Sequence, residues 1–307
     1  MTISAEQARA FYPSAEEVDR WLDGIFEESA ARPFTAEPVS ASPLLPATLL
    51  GYIHPQLMRF SSPGLPDFYG VWYPPVSGPK PLLTFLPGYG SELSLVPMVP
   101  AAQYAGLSLC PLGYWTPQGQ PNERREEGEW PVLPDTARTG GQGGYRDWLL
   151  QAAMAVRWAW RQQDAVLPDR VTFFGTSQGG GAALLLGSLF AGRGTRCVMA
   201  DEPFLTDYPT AAFRGAYHVL EKAYRVMPPE AFWHAVGLVD TTEHARRLNV
   251  PVMVTTGGAD TVCPPETIEL LWQRLPTTKL RLFLDGRGHG HNREFSALML
   301  SFADLYA

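Results

Sequence analysis

Between Ser4 and Ser29 the apolar residues Phe11, Val18, Trp21, Leu22, Ile25 and Phe26 recur at helical spacing among acids and alanines. That spacing predicts one or two amphipathic helices packed on the main body. A proline-rich passage, Pro33 to Pro46, leads to extended segments at Gly51 to Phe60 and Asp67 to Tyr73, joined by Ser-Ser-Pro-Gly. These read as an antiparallel hairpin. The pattern then changes to β/α alternation. A strand at Pro81 to Leu86, a helix ending near Ala105, a strand at Leu107 to Pro111, a helix at Tyr145 to Gln163 and a strand at Arg170 to Gly175 follow in turn. Further strands fall at Cys197 to Ala200, Val250 to Thr255 and Leu280 to Leu284. The order predicts an α/β fold: a doubly wound, mostly parallel sheet.

Two stretches interrupt the alternation. Residues 113–144 are polar and glycine-rich, whereas 205–248 is helical in pattern and aromatic, with Tyr208, Phe213, Tyr217, Tyr224, Phe232 and Trp233. Both leave the carboxyl edge of the sheet, where open α/β sheets bind ligands, so they are expected to form pocket walls and a helical lid. The domain reading is a helical extension over 1–50 and one main domain over 51–307 carrying both insertions. No internal repeat is present.

The most informative local pattern is Val171-Thr-Phe-Phe-Gly175-Thr-Ser177-Gln-Gly179-Gly180-Gly181-Ala182, an apolar strand entering a Gly-x-Ser-x-Gly turn that opens an apolar helix beginning under Gln178. This is the form of a nucleophile elbow, in which cramped backbone requires glycine on both sides of an exposed serine. A serine hydroxyl needs an imidazole to take its proton and a carboxylate to orient that imidazole. In this kind of sheet the chain order is serine, acid, histidine. Of six histidines, only His289 and His291 follow the last strand, in Leu284-Asp-Gly-Arg-Gly-His-Gly-His. His289, nearer the strand and flanked by glycines, is favoured; His54, His218, His234 and His244 are placed elsewhere. For the acid, Asp260 lies just past the strand at 250–255, with Asp201, Glu202 and Asp285 as alternatives. The acyl oxyanion needs two donors, worth about 3 kcal/mol each. The backbone N–H groups of Gln178 and of Tyr89, in Leu86-Pro-Gly-Tyr-Gly-Ser, are the candidates.

Net charge of −7, with scattered Lys and Arg, argues against a nucleic-acid partner. No window has the apolar length of a membrane span, and the first residues lack a secretory apolar core, which points to a cytoplasmic protein. Cys110, Cys197 and Cys263 are odd in number, far apart and set in apolar stretches, as reduced buried thiols would be. Neither a zinc-ligand spacing nor a phosphate loop is seen, since Gly140-Gly-Gln-Gly-Gly144 lacks the required Lys and Ser or Thr. No metal and no cofactor are therefore expected.

Taken with Asp201-Glu-Pro-Phe-Leu205, Gly258-Ala-Asp-Thr-Val-Cys-Pro-Pro265 and Gly288-His289, the elbow resembles the acetyl xylan esterase and cephalosporin C deacetylase family of carbohydrate esterases. The resemblance runs from about Phe60 to the C-terminus and implies an α/β-hydrolase fold. It also implies a serine esterase that removes small acyl groups, chiefly acetyl, from sugars and related alcohols. The triad positions fall on Ser177, Asp260 and His289, and the oxyanion donors on Tyr89 and Gln178. Homo-oligomerisation of some kind is implied as well. The chain departs from the family at Pro111-Leu-Gly-Tyr-Trp115, where Arg-Gly-Gln-Gly is usual, and at Gly290, where glutamate is usual. Two alternatives accompany the esterase reading. One is a short-peptide peptidase, binding an amino terminus through Glu202 or the acids from Glu123 to Glu129; the other is a non-catalytic binding protein of the same fold.

Overall fold

A computed structural model describes residues 3–39, 55–89, 93, 100–110, 132–290 and 292–307. His54, the Pro111–Trp115 stretch, the acids at 123–129 and His291 lie outside them. Nine strands form one sheet: β1 (Thr35–Pro38), β2 (Gln56–Ser61), β3 (Phe68–Tyr73), β4 (Lys80–Leu86), β5 (Ala105–Cys110), β6 (Val166–Thr176), β7 (Thr195–Asp201), β8 (Val252–Gly257) and β9 (Lys279–Leu284). Their order is β1-β2-β3-β5-β4-β6-β7-β8-β9. The first three are antiparallel to their neighbours, and β5 through β9 run parallel. This is the mixed, mostly parallel sheet of an α/β-hydrolase fold.

The central strands are near-continuous apolar runs because helices cover both faces. Every residue of β8 is buried, as is β6 from Val171 to Gly175. In chain order the first described helices are α1 (Ala5–Arg9), α2 (Ala15–Ala31), α3 (Val132–Arg138), α4 (Tyr145–Trp160) and α5 (Gln178–Leu189). Helix α2 begins at a capping box, in which Ser14 and Glu17 satisfy each other's backbone N–H. It buries Val18, Trp21, Leu22 and Ile25, each worth roughly 1.5–3 kcal/mol in removed apolar surface. The Trp21 indole donates to the Gly141 carbonyl at 2.8 Å, and the guanidinium groups of Arg157 and Arg193 lie 3.9 and 4.0 Å from the centre of the Phe26 ring. The expected N-terminal helices are thus present and packed on the body.

Two local expectations need correction. The proline-rich passage contains a strand: β1 pairs with β2 from Thr35↔Ser61 to Pro38↔Met58. Its proline is tolerated because an edge strand leaves one side of its backbone unpaired. The helix expected to end near Ala105 does not reach that residue. Ala105 starts β5, and residues 100–104 form a turn in which the Gln103 and Tyr104 N–H groups both donate to Pro100. Most of the remaining stretch lies outside the described residues.

The second insertion is helical, as expected. It holds α6 (Tyr208–Ala211), a 3-10 turn (Gly215–Leu220), α7 (Glu221–Val226), α8 (Pro229–Gly237) and α9 (Thr241–His244). Its hub is Asp240, which accepts from the Tyr12 hydroxyl, the Asp207 and Tyr208 N–H groups and both the N–H and hydroxyl of Thr242. One carboxylate thereby ties the N-terminal helices to the insertion. Helices α10 (Pro265–Arg274) and α11 (Arg293–Tyr306) complete the alternation around β9.

Candidate active site

Ser177 stands between the end of β6 and the start of α5 with φ 58° and ψ −120°. A non-glycine residue in this region carries strain of order 1–3 kcal/mol and persists only when its surroundings fix it. Three backbone bonds do so: Ser177 N–H donates to the Asp201 carbonyl at 2.8 Å, while its own carbonyl accepts from Gly181 at 3.0 Å and Phe204 at 2.9 Å. The flanking glycines have a specific steric cause. A Cβ on Gly175 or Gly179 would lie 2.3 or 1.9 Å from the Leu86 carbonyl oxygen, and one on Gly181 would lie 2.0 Å from that of Phe204. Helix α5 is therefore wedged between the ends of β4 and β7. The Gly88–Tyr89 loop borders the same cavity as Ser177 as a result.

His289, in the loop between β9 and α11, reaches Ser177 Oγ through Nε2 at 3.0 Å and Asp260 Oδ2 through Nδ1 at 2.8 Å. Asp260 lies after β8, fully buried at its side chain, and its Oδ1 accepts the Val262 and Cys263 N–H groups, both at 2.8 Å. That turn leaves Oδ2 for the imidazole. The three residues selected from sequence thus form one hydrogen-bonded line. Burial works to lower the His289 pKa, but the hydrogen bond and charge of Asp260, joined by the charges of Glu202 and Asp201, hold it above the usual imidazole value.

The alternative acids take other positions. Asp285 is exposed in the turn after β9. Asp201 is buried as a strut: it accepts from Thr176 at 3.0 Å, from Asn292 Nδ2 at 2.8 Å and from the Thr255 hydroxyl. Its pKa is raised by burial and held back by those donors. Glu202 lies behind the imidazole, with Oε2 3.4 Å from His289 Nδ1 and 2.9 Å from the Gly290 N–H. It is fully buried there, which removes it as a receptor for a peptide amino terminus. Asn292, Thr176 and Thr255 were not singled out from sequence. For Thr176 and Thr255 the available signal was a polar residue inside apolar β6 and β8; Asn292, just before α11, gave only a helix-start signal.

Asp260, Cys263 and His289 bring potential metal ligands within 4.8 Å of one another. The carboxylate and ring nitrogen, however, are only 2.8 Å apart. Two ligands of a tetrahedral zinc are separated by roughly 3.3 Å, so the arrangement fits a shared proton better than a metal. Burial and the Asp260 charge push the Cys263 thiol well up in pKa, which keeps it neutral beside Ser177.

A cavity of about 740 Å³ opens over Ser177 and His289. Phe85 and Phe174 line it from the sheet, Phe295 and Met299 from α11. The insertion supplies the expected wall through Ala216, His218 and Val219 of its 3-10 turn, beside Phe204 from the segment after β7.

A strained serine after a central strand, with an acid after β8 and a histidine after β9, defines the α/β-hydrolase class. Within that class the chain belongs to the acetyl xylan esterase family, whose sequence model matches residues 141–304. Among characterised relatives, the acetyl esterase Axe7A of Xylanibacter ruminicola is 33% identical over 119 residues, which span 37% of this chain and 26% of that protein. The matched segment is thus about a quarter of the relative's length. The structures of acetyl xylan esterase 1 from Thermoanaerobacterium sp. JW/SL YS485 and of the acetyl xylan esterase from Paenibacillus sp. R4 superpose with TM-scores of 0.76 and 0.78. Each is 20% identical and covered in full by this chain, and the likeness shows the shared fold.

Proposed function

We propose that the protein is a serine esterase releasing short acyl groups, acetyl foremost, from esters of carbohydrates or related alcohols. The observation that carries the reading is the line Ser177 Oγ, His289, Asp260 at 3.0 and 2.8 Å, set at the floor of a cavity. In this mechanism His289 Nε2 takes the Ser177 proton as Oγ attacks the ester carbonyl. Asp260 fixes the tautomer through Nδ1 and stabilises the imidazolium. The tetrahedral oxyanion is received by the Tyr89 and Gln178 N–H groups; the latter is at the first turn of α5, where backbone donors are unsatisfied within the helix. Collapse expels the alcohol, which takes the proton from His289 and leaves an acyl-serine. Water, deprotonated by the same imidazole, then releases the acid and restores Ser177.

The substrate is a small molecule, and no cofactor takes part. Free, buried thiols at Cys197 and Cys263 suit a cytoplasmic setting. Among the described residues no helix is long and apolar enough to cross a membrane.

The test is hydrolysis of p-nitrophenyl acetate, butyrate and octanoate, with an acetylated sugar alongside, by wild type and Ser177→Ala. Release is expected to fall with acyl length and to drop by at least about 10³-fold in the variant, the scale of losing a catalytic nucleophile. Hydrolysis that survives the substitution would overturn the reading.

A further inference from the structure

The carboxylate of Glu202 is not used by the mechanism above, yet it is buried against the catalytic imidazole. It is 0% exposed, and its residue sits at φ 43°, a left-handed conformation that a glutamate seldom adopts. The conformation is held by its N–H donating to the Thr255 hydroxyl at 3.0 Å. A Cβ on Gly257 would come within 2.6 Å of Glu202 Oε1, so the end of β8 is shaped to admit this carboxylate. Oε2 accepts the Gly290 N–H, directly after His289, and lies 3.4 Å from Nδ1. Oε1 has no hydrogen-bond partner among the described residues.

The Gly290 N–H and the Asn292 side chain favour its charged form but burial outweighs them, and with no permanent cation beside it this carboxylate is poorly explained as a stabilising feature. The titratable groups around it are Asp201 from β7, Asp260 and Cys263 from the loop after β8, and His289. Of these, only His289 becomes positive, and it does so as Ser177 gives up its proton. A charge placed to act at that moment lowers the barrier without tightening the ground state. The neighbouring backbone adds a positional role. The Asp201 carbonyl holds Ser177 and the Glu202 side chain holds the residue after His289, so one two-residue turn sets both partners.

We propose that Glu202 is a second acid of the site, a positioning residue that anchors the His289 loop through Gly290 and shares the imidazolium charge with Asp260. It rests on the Ser177–His289–Asp260 reading. No bond is made or broken at Glu202; its Oε2 lies 3.4 Å from Nδ1, beside the Asp260 carboxylate that takes the Nδ1–H bond, and it is the nearest carboxylate left there if Asp260 is removed.

The experiment compares wild type, Glu202→Gln, Asp260→Ala and the double variant in hydrolysis of p-nitrophenyl acetate across pH 5 to 9. Thermal melts accompany each, and His289→Ala sets the floor. Glu202→Gln keeps an acceptor for Gly290 and removes the charge. It is expected to reduce kcat about tenfold with little change in KM, and to move the acid-side midpoint of kcat/KM to lower pH. In the Asp260→Ala background the same change should cost more than it does alone, and Asp260→Ala should remain well above His289→Ala. An unmoved midpoint together with equal losses in both backgrounds overturns the proposal. Should Glu202→Gln not fold, Asp260→Ala falling to the His289→Ala floor does the same. Activity surviving in Ser177→Ala would defeat the underlying esterase reading. A dead Ser177→Ala beside an indifferent Glu202→Gln would defeat the Glu202 proposal alone.

Discussion

Gly179→Ala is a single-methyl change whose effect can be worked from the packing. The added Cβ would lie 1.9 Å from the Leu86 oxygen, 2.7 Å from its carbonyl carbon and 2.8 Å from the Pro87 oxygen, where real Cβ contacts essentially never come under 3.0 Å. All three are backbone atoms, so no side chain can swing aside. The end of β4 and the start of α5 must separate by about 1 Å, at a cost of roughly 1–3 kcal/mol for overpacking. For a chain of this size that is a melting point lower by several degrees. The same displacement moves apart the Tyr89 and Gln178 N–H groups, the proposed oxyanion donors, and misplacement of catalytic groups by about 1 Å lowers rates by roughly 10²-fold. Melting curves and kcat on p-nitrophenyl acetate test both parts. Gly24→Ala is the control: nothing lies within 4 Å of its added Cβ on exposed, helical α2, so stability should rise by about 0.5–1 kcal/mol with kcat unchanged. A Gly179→Ala protein with wild-type melting point and kcat would refute the wedge argument.

Other expectations concern pH. Burial depresses the His289 pKa, but the Asp260 bond and the surrounding carboxylates outweigh it, so the acid limb of kcat/KM should have its midpoint above 6.5. A midpoint at or below 6.5 would count against that balance. For stability, two buried groups act in opposite senses. Burial and the charge of Asp207 raise Asp240 from 3.8 to about 6; the folded state then holds its proton more tightly, and stability from this group is lost as pH rises from about 4 to 6. Burial lowers His244 from 6.5 to about 4, so stability from it is present above 6.5 and lost as pH falls toward 4. Each amounts to roughly 3 kcal/mol, and they nearly cancel between pH 4 and 6. Relative to wild type, Asp240→Asn should lose stability on acidification over that range and His244→Gln should gain it. Urea unfolding at several pH values would show this, and three parallel curves would contradict it.

The parts of the site that could be read from sequence are those where chemistry and covalent spacing coincide. Gly175 and Gly179 flank Ser177 because the Leu86 carbonyl crowds both glycine positions, and such a steric demand leaves a mark in adjacent letters. Asp260 and His289 were legible through their places after the last strands. The element order was legible for a related reason, since strands buried on both faces must be continuous apolar runs. What was not legible depends on register across the sheet. Strand β1 belongs to the sheet by pairing at its edge, which tolerates the alanine, glutamate and proline of Thr35–Pro38. Asp201 and Glu202 were visible as acids after β7, but adjacent residues there diverge in role. Asp201 turns to Thr176, Thr255 and Asn292, whereas the positive φ at Glu202 sends its side chain to Gly290 and His289. Sequence order could nominate several acids for one histidine. Only the backbone conformation after β7 distinguishes a strut from a charge placed on the imidazole, and that conformation depends on a hydroxyl 53 residues away, on Thr255.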